Sequence, residues 1–159
     1  MATYERETYI DAPLEDVWEF HSRVDGLEAL TPGWMGLSIQ AIRGPDGEPD
    51  PEVLEAGAEI DMELRPLGVT STPAGTWTSV IAERTKSDER GLFKDEMRGG
   101  PFTRWVHVHQ FRREGDGTRI RDTVHYELPK IGRLSPFAVV GFEPMFRYRH
   151  RKTKELLEG

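Results

Sequence analysis

Between residues 75 and 129 the chain offers four extended segments in close succession: GTWTSVIAER, RGLFKDEMR, FTRWVHVHQFRRE and GTRIRDTVHYELP. The turns that join them are short, polar or glycine-bearing. Turns of this length cannot carry a strand across to a parallel neighbour, so the segments pair antiparallel, one hairpin after another. Upstream, AEIDMELRPLG alternates with Ala58, Ile60, Met62 and Leu64 facing in and Glu59, Asp61, Glu63 and Arg65 facing out. YERETYIDA and MGLSIQAIRG also read as strands, which makes a sheet of about six to seven.

Helices bracket this sheet. Asp11-Ala12-Pro13 opens a short helix over about residues 13–22. Asp11 is placed to cap it, Pro13 to start its first turn, and Glu15 and Asp16 to meet the positive end of its dipole. Leu14, Val17, Trp18 and His21 share its apolar face. A second short helix around 25–30 stops at Thr31-Pro32-Gly33. The chain ends in a helical region over about 135–158, where Pro144 marks a kink or a new helix start. Its inward stripe runs Phe142, Phe146, Arg149, Thr153, Leu156. The arrangement that covers every apolar face is α+β: a strongly bent antiparallel sheet wrapped around a long C-terminal helix, with two short helices after the first strand. GPDGEPDPEVLEAG, rich in Pro, Gly and acids, reads as a surface loop. It lacks the Gly-Lys-Ser/Thr ending of a phosphate loop.

A chain of 159 residues suits one domain, here 1–159, and buries about 70% of its unfolded surface. The absence of cysteine excludes disulfides, cysteine-zinc sites and thiol nucleophiles. A net charge of −7 opposes nucleic acid as a partner. No basic-then-apolar leader and no apolar run near the ~20 residues of a membrane span are present, so a cytoplasmic monomer or homodimer without stable membrane insertion is expected.

Alternation puts Thr103, Trp105, His107, His109 and Phe111 on one face of their strand, and Ile120, Asp122, Val124, Tyr126 and Leu128 on one face of the next. The turn Glu114-Gly115-Asp116-Gly117 sets Phe111 opposite Ile120, His109 opposite Asp122, His107 opposite Val124 and Trp105 opposite Tyr126. Folding back at Arg98-Gly99-Gly100-Pro101 sets Phe93 beside His107 and Asp95 beside Trp105, with a one-residue slip exchanging Asp95 for Glu96. The inner face thus carries Asp95, Trp105, His107, His109, Asp122 and Tyr126. Buried unpaired, such polar groups cost about 2–7 kcal/mol each. Either they satisfy one another or they line a cavity.

ETYIDAPLEDVWEF, LEALTP, FKDEMRGGPFTRWVHVHQF, TRIRDTVHYELP and FRYRHRK, in that order along nearly the whole chain, resemble the START-like helix-grip superfamily. That group includes lipid-transfer domains, the major pollen allergens and the polyketide cyclases. Within it the chain is most similar to the small prokaryotic ligand-binding SRPBCC proteins. The resemblance implies a cavity between sheet and C-terminal helix that binds a small hydrophobic or amphipathic ligand, lipid-like or polycyclic.

The expected ligand contacts are Asp95, Trp105, His107, His109, Asp122, Tyr126, Phe142, Phe146 and Arg149, with Arg149 free to pair with Asp122 or Asp95 or to hold a ligand carboxylate. The alternative is a cyclase or dehydratase on a polyketide-like substrate. His109 would be the base oriented by Asp122, and His107 or Tyr126 a proton donor. No Ser or Cys nucleophile accompanies them. A third reading is a structural or protein-partner domain with a filled core. His107-x-His109 with Asp122 or Asp95 has metal-ligand character. Without a third His or Cys nearby in sequence, and with Asp122 placed to orient His109, neither metal nor cofactor is expected. Trp18 reads as core filling, the inward direction of Trp77 is open, and the basic run FRYRHRKTK reads as cations complementing a helix C-terminus.

Overall fold

The computed structural model describes residues 2–31, 33, 36–64, 76–100, 102–127 and 142–158. Trp34, Pro101, Leu128 and the 135–141 part of the expected C-terminal helical region lie outside them, as does the side chain of Leu64. The elements are β1 (Ala2–Ile10), α1 (Leu14–His21), α2 (Val24–Ala29), β2 (Leu37–Arg43), β3 (Glu59–Leu64), β4 (Thr76–Lys86), β5 (Arg90–Gly99), β6 (Arg104–Glu114), β7 (Gly117–Glu127) and α3 (Phe142–Leu157). The seven strands form one antiparallel sheet in the order β1-β7-β6-β5-β4-β3-β2. From β2 to β7 each strand pairs with the next in sequence, and from β4 to β7 the short turns require it. β1 and β2 lie at opposite edges, so α1 and α2 connect the two rims of the sheet.

Pro13, rather than Asp11, stands at the N-cap of α1, and no side chain caps it. Asp11 instead donates its backbone N–H to Glu158 Oε1 at 2.9 Å, beside the end of α3. Pro144 falls in the first turn of α3, where a missing N–H costs nothing. The helix is unbroken from there. Its buried stripe runs Phe142, Phe146, His150 and Thr153, and Leu157 packs against the core. Leu156, expected inside, is 48% exposed. The +4 steps from Phe142 to Phe146 to His150 turn the stripe by one residue, leaving Arg149 half-buried at its margin.

The β6–β7 register is the expected one: Phe111 faces Ile120, His109 faces Asp122, His107 faces Val124 and Trp105 faces Tyr126. The β5–β6 register differs. Phe93 faces His109, not His107, and Asp95 faces His107, not Trp105. Gly99 and Gly100 both take positive φ, +76° and +79°, so the strand runs to Gly99 before the chain reverses. The centre of the turn moves by one residue and every pairing by two. A shift of two keeps each side chain on its face, and Asp95 stays inward while Glu96 is exposed. In β4 a bulge between Ile81 and Glu83 switches faces, so that Arg84 and not Glu83 continues inward. Arg84 lies over the Trp18 ring at 5.0 Å and donates to Ser22 Oγ at 3.2 Å.

Two apolar clusters fill the inside of the sheet. The larger joins Ile10, Leu14, Val17, Trp18, Ile60 and Phe111 with their neighbours. The smaller joins Val124, Tyr126, Phe142 and Phe146, with Tyr4, Phe102, Trp105 and Met145 against it. The 44–57 segment is not a free loop. Leu54 donates its N–H to Ser22 O at 2.9 Å, Gly57 to Ile81 O at 2.7 Å, and the Leu54 side chain is buried in the larger cluster.

Candidate functional site: a histidine–aspartate cage on a cavity wall

Five histidines occur in the chain, and four of them meet inside. His107 and His109 project from β6, His150 from α3 and His21 from the end of α1. Asp122 of β7 sits at their centre. Its Oδ1 accepts from His107 Nε2 at 2.9 Å and from His109 Nδ1 at 2.8 Å, and its Oδ2 accepts from His150 Nε2 at 2.5 Å. Asp95 of β5 approaches from the other side, its Oδ2 3.3 Å from His109 Nε2 and 3.7 Å from His107 Nδ1. The His107 and His109 rings lie 3.7 Å apart.

These bonds dictate protonation. His109 has a carboxylate at each nitrogen, so both nitrogens donate and the ring is an imidazolium. Burial opposes that charge. The field of Asp122 and the bonds to Asp122 and Asp95 outweigh it and raise the ring from 6.5 to about 9. His107 goes the other way: burial and the charge on His109 lower it, against the bond to Asp122. It is therefore neutral, with hydrogen on Nε2 and a lone pair on Nδ1. Burial would raise Asp122, but His109 and the three imidazole bonds hold it well below the ordinary carboxylate range. Burial would raise Asp95 too, but the bond to His109 together with the fields of His107, His109 and Arg149 lowers it. His21 is pushed down to about 3 by burial, its Nδ1 donating to Val17 O at 2.8 Å.

The cage borders a cavity of about 150 Å³ between sheet and α3. Leu54, Ile60, Met62, Trp77, Ile81 and Phe93 provide much of its apolar wall, which settles the direction of Trp77 as inward. Of the residues marked in the sequence, Asp95, Trp105, His107, His109, Phe146 and Arg149 line it. Asp122, Tyr126 and Phe142 do not. Asp122 stands behind the two imidazoles it holds, and Tyr126 and Phe142 belong to the smaller apolar cluster. Arg149 makes no ion pair with either aspartate among the described residues. Its guanidinium lies 6.0 Å from the Phe146 ring centre, lowered by burial against the fields of Asp122 and Asp95.

Two corrections follow for the expected acid–base roles. His109 has no free lone pair and cannot act as a base, whereas His107 has one. Tyr126 is off the cavity and cannot donate into it. His150 was missed because it sits inside a run read as basic surface; the +4 step from Phe146 was the available signal.

No helix among the described residues is long and apolar enough to cross a membrane. Solved structures with similar folds include a nucleoside-diphosphate sugar epimerase from Corynebacterium glutamicum, at 24% identity and a TM-score of 0.66. The match covers 98% of this chain but only 29% of that one. A norcoclaurine synthase from Thalictrum flavum matches at 15% identity and a TM-score of 0.67, over 98% of this chain and 93% of that one. Ara h 8.0201 matches at 14% and 0.61, over 96% and 97%. At these identities the likeness is one of fold, the helix-grip arrangement. No curated protein matches the sequence. The family described as polyketide cyclase / dehydrase and lipid transport matches residues 10–148, from the end of β1 through β7 and into the first half of α3, and the chain belongs to that family.

Proposed function

We propose that the domain binds one small, largely apolar molecule with an anionic or hydrogen-bond-accepting end, seated in the cavity between sheet and α3. The observation that carries this is Arg149. A guanidinium at the wall of an apolar cavity, with no ion pair among the described residues, is a costly arrangement. A ligand carboxylate or carbonyl offsets that cost and is recognised by the planar fork of donors. The volume of about 150 Å³ falls below the roughly 300–1,000 Å³ of drug-sized sites. It favours one ring or a short chain over the polycyclic ligand that the family resemblance suggests. The cavity also counts against a filled, purely structural core.

Native mass spectrometry of the purified protein, followed by organic extraction, tests for a co-purifying ligand. Calorimetry with benzoate against benzyl alcohol tests the head group. The reading expects benzoate to bind more tightly to the wild type and Arg149→Leu to remove that preference. Equal affinity for both probes in the wild type, with no extracted ligand, would sink it.

A cyclase or dehydratase is the second reading, favoured by one feature: a neutral His107 with a free Nδ1 beside the imidazolium of His109 offers a base and an acid on rings whose centres are 3.7 Å apart. On this reading His107→Ala loses turnover of a carbonyl substrate and keeps its affinity. A parallel loss of both would leave only binding.

A further inference from the structure

We infer that Asp95, His107 and His109 form a site for one divalent transition-metal ion of the zinc or iron(II) class, facing the cavity. One donor atom from each residue lies within 4.8 Å of the other two. Asp95 Oδ2 is 3.3 Å from His109 Nε2 and 3.7 Å from His107 Nδ1. Donors held tetrahedrally at 2.0–2.1 Å from zinc stand about 3.3–3.4 Å apart. These two spacings need only a few tenths of an ångström of closure, and the two imidazole donors lie within 4.8 Å of each other.

The remaining nitrogens support the same assignment. His107 Nε2 and His109 Nδ1 both donate to Asp122 Oδ1, at 2.9 and 2.8 Å. This turns His107 Nδ1 and His109 Nε2 toward Asp95. Metal-bound histidines are oriented by such N–H to carboxylate bonds, and here one carboxylate orients both. Asp122 is itself fixed by His150 Nε2 at 2.5 Å on its other oxygen. His107 Nδ1 faces an Asp95 carboxylate oxygen at 3.7 Å, beyond hydrogen-bond reach, and a cation between the two would be ligated by both.

Two imidazoles and one carboxylate suit zinc, iron(II) or cobalt(II), and disfavour magnesium and calcium, which prefer all-oxygen surroundings. All three ligands line the cavity, so the ion's open positions face it. Counting the ion with Asp95, Asp122 and Arg149, the site carries one positive charge, which a hydroxide or ligand anion neutralises. The inference does not rest on the ligand reading above. It does exclude the acid–base variant, because His107 Nδ1 cannot hold both an ion and a substrate proton.

The test uses tag-free protein, stripped with a chelator and given no organic ligand. Zinc(II) is titrated by native mass spectrometry, and cobalt(II) is followed by visible absorption. The expected result is one ion per chain, with the intense bands of four- or five-coordinate cobalt. Excess magnesium should not displace it. Asp122→Asn should weaken binding about 10–100-fold, and His125→Ala, on the outer face, should leave it unchanged. Cobalt bands no stronger than those of the hydrated ion would overturn the inference, as would full affinity in a folded His107→Ala/His109→Ala double variant. Should that double variant not fold, Asp95→Asn decides instead: a loss of tenfold or more supports the site, and unchanged affinity overturns it.

Discussion

Asp122 is 3% exposed and accepts from three imidazoles. A buried carboxylate costs several kcal/mol to desolvate, and three donors with an imidazolium in contact are what make it tolerable. The dependence runs both ways, since removing Asp122 strands the charge of His109. Asp122→Ala is expected to lose about 3–5 kcal/mol of stability, read from the urea midpoint at constant m. A loss under 1 kcal/mol would mean that the histidines find other partners. The pairing of His109 with Asp122 was legible in the sequence, because a two-residue turn at Gly115-Asp116 leaves one register open. The third arm, His150, was not. It reaches Asp122 across 28 positions, and its place depends on the rotation of a helix, which a stripe containing Arg149 and His150 side by side does not determine.

At the scale of elements, alternation carried the reading well: the inner faces of β6 and β7 are those expected from their period of two. It failed where a strand departs from ideal pairing. The bulge in β4 puts Arg84 on the face of Ile81 where strict alternation puts Glu83, and the doubled positive-φ glycine before the β6 hairpin moves Asp95 from Trp105 to His107. Neither is visible to a periodic pattern. The seat of α1 on the sheet makes a sharp demand of its own. A Cβ on Gly91 would stand 2.7 Å from the Trp18 ring. That ring is already enclosed by Phe93, Phe111 and Arg84. Gly91→Ala is therefore expected to destabilise the fold by about 1–3 kcal/mol, with the Trp18 fluorescence maximum shifting as the ring is displaced. An unchanged melting temperature would show that α1 lifts without cost.

Over the whole molecule, the histidines set opposing pH responses. His109 is raised from 6.5 to about 9 in the folded state. Its contribution is complete below pH 6.5 and drains as pH rises toward 9, on the order of 3 kcal/mol at most. His21 is lowered from 6.5 to about 3, so its contribution is present above pH 6.5 and is lost as pH falls toward 3. His107, also lowered, acts in the same direction as His21. Stability should peak near pH 6.5 and fall on both sides. Urea midpoints at pH 5, 6.5 and 9, with chelator present, check this. A flat response from 6.5 to 9 would mean that His109 carries no charge between its two carboxylates.

The strand order has a consequence in time. Among the described residues β1 pairs with β7 alone, Ala2 against Tyr126, so β1 waits on the ribosome for β7. At about 5–20 residues per second, the interval is roughly 6–25 s. Throughout it, Ala2–Ile10 is a strand with two bare edges, the kind of segment that recruits the wrong partner. Its sequence carries the safeguard. Glu5, Arg6 and Glu7 interrupt the run, and inward charge on an edge strand is a device that discourages stray pairing. In the finished fold Glu143, at the start of α3, meets both Arg6 and Tyr4. The charge that burdens a stray pairing of β1 is the one that clasps α3 to it.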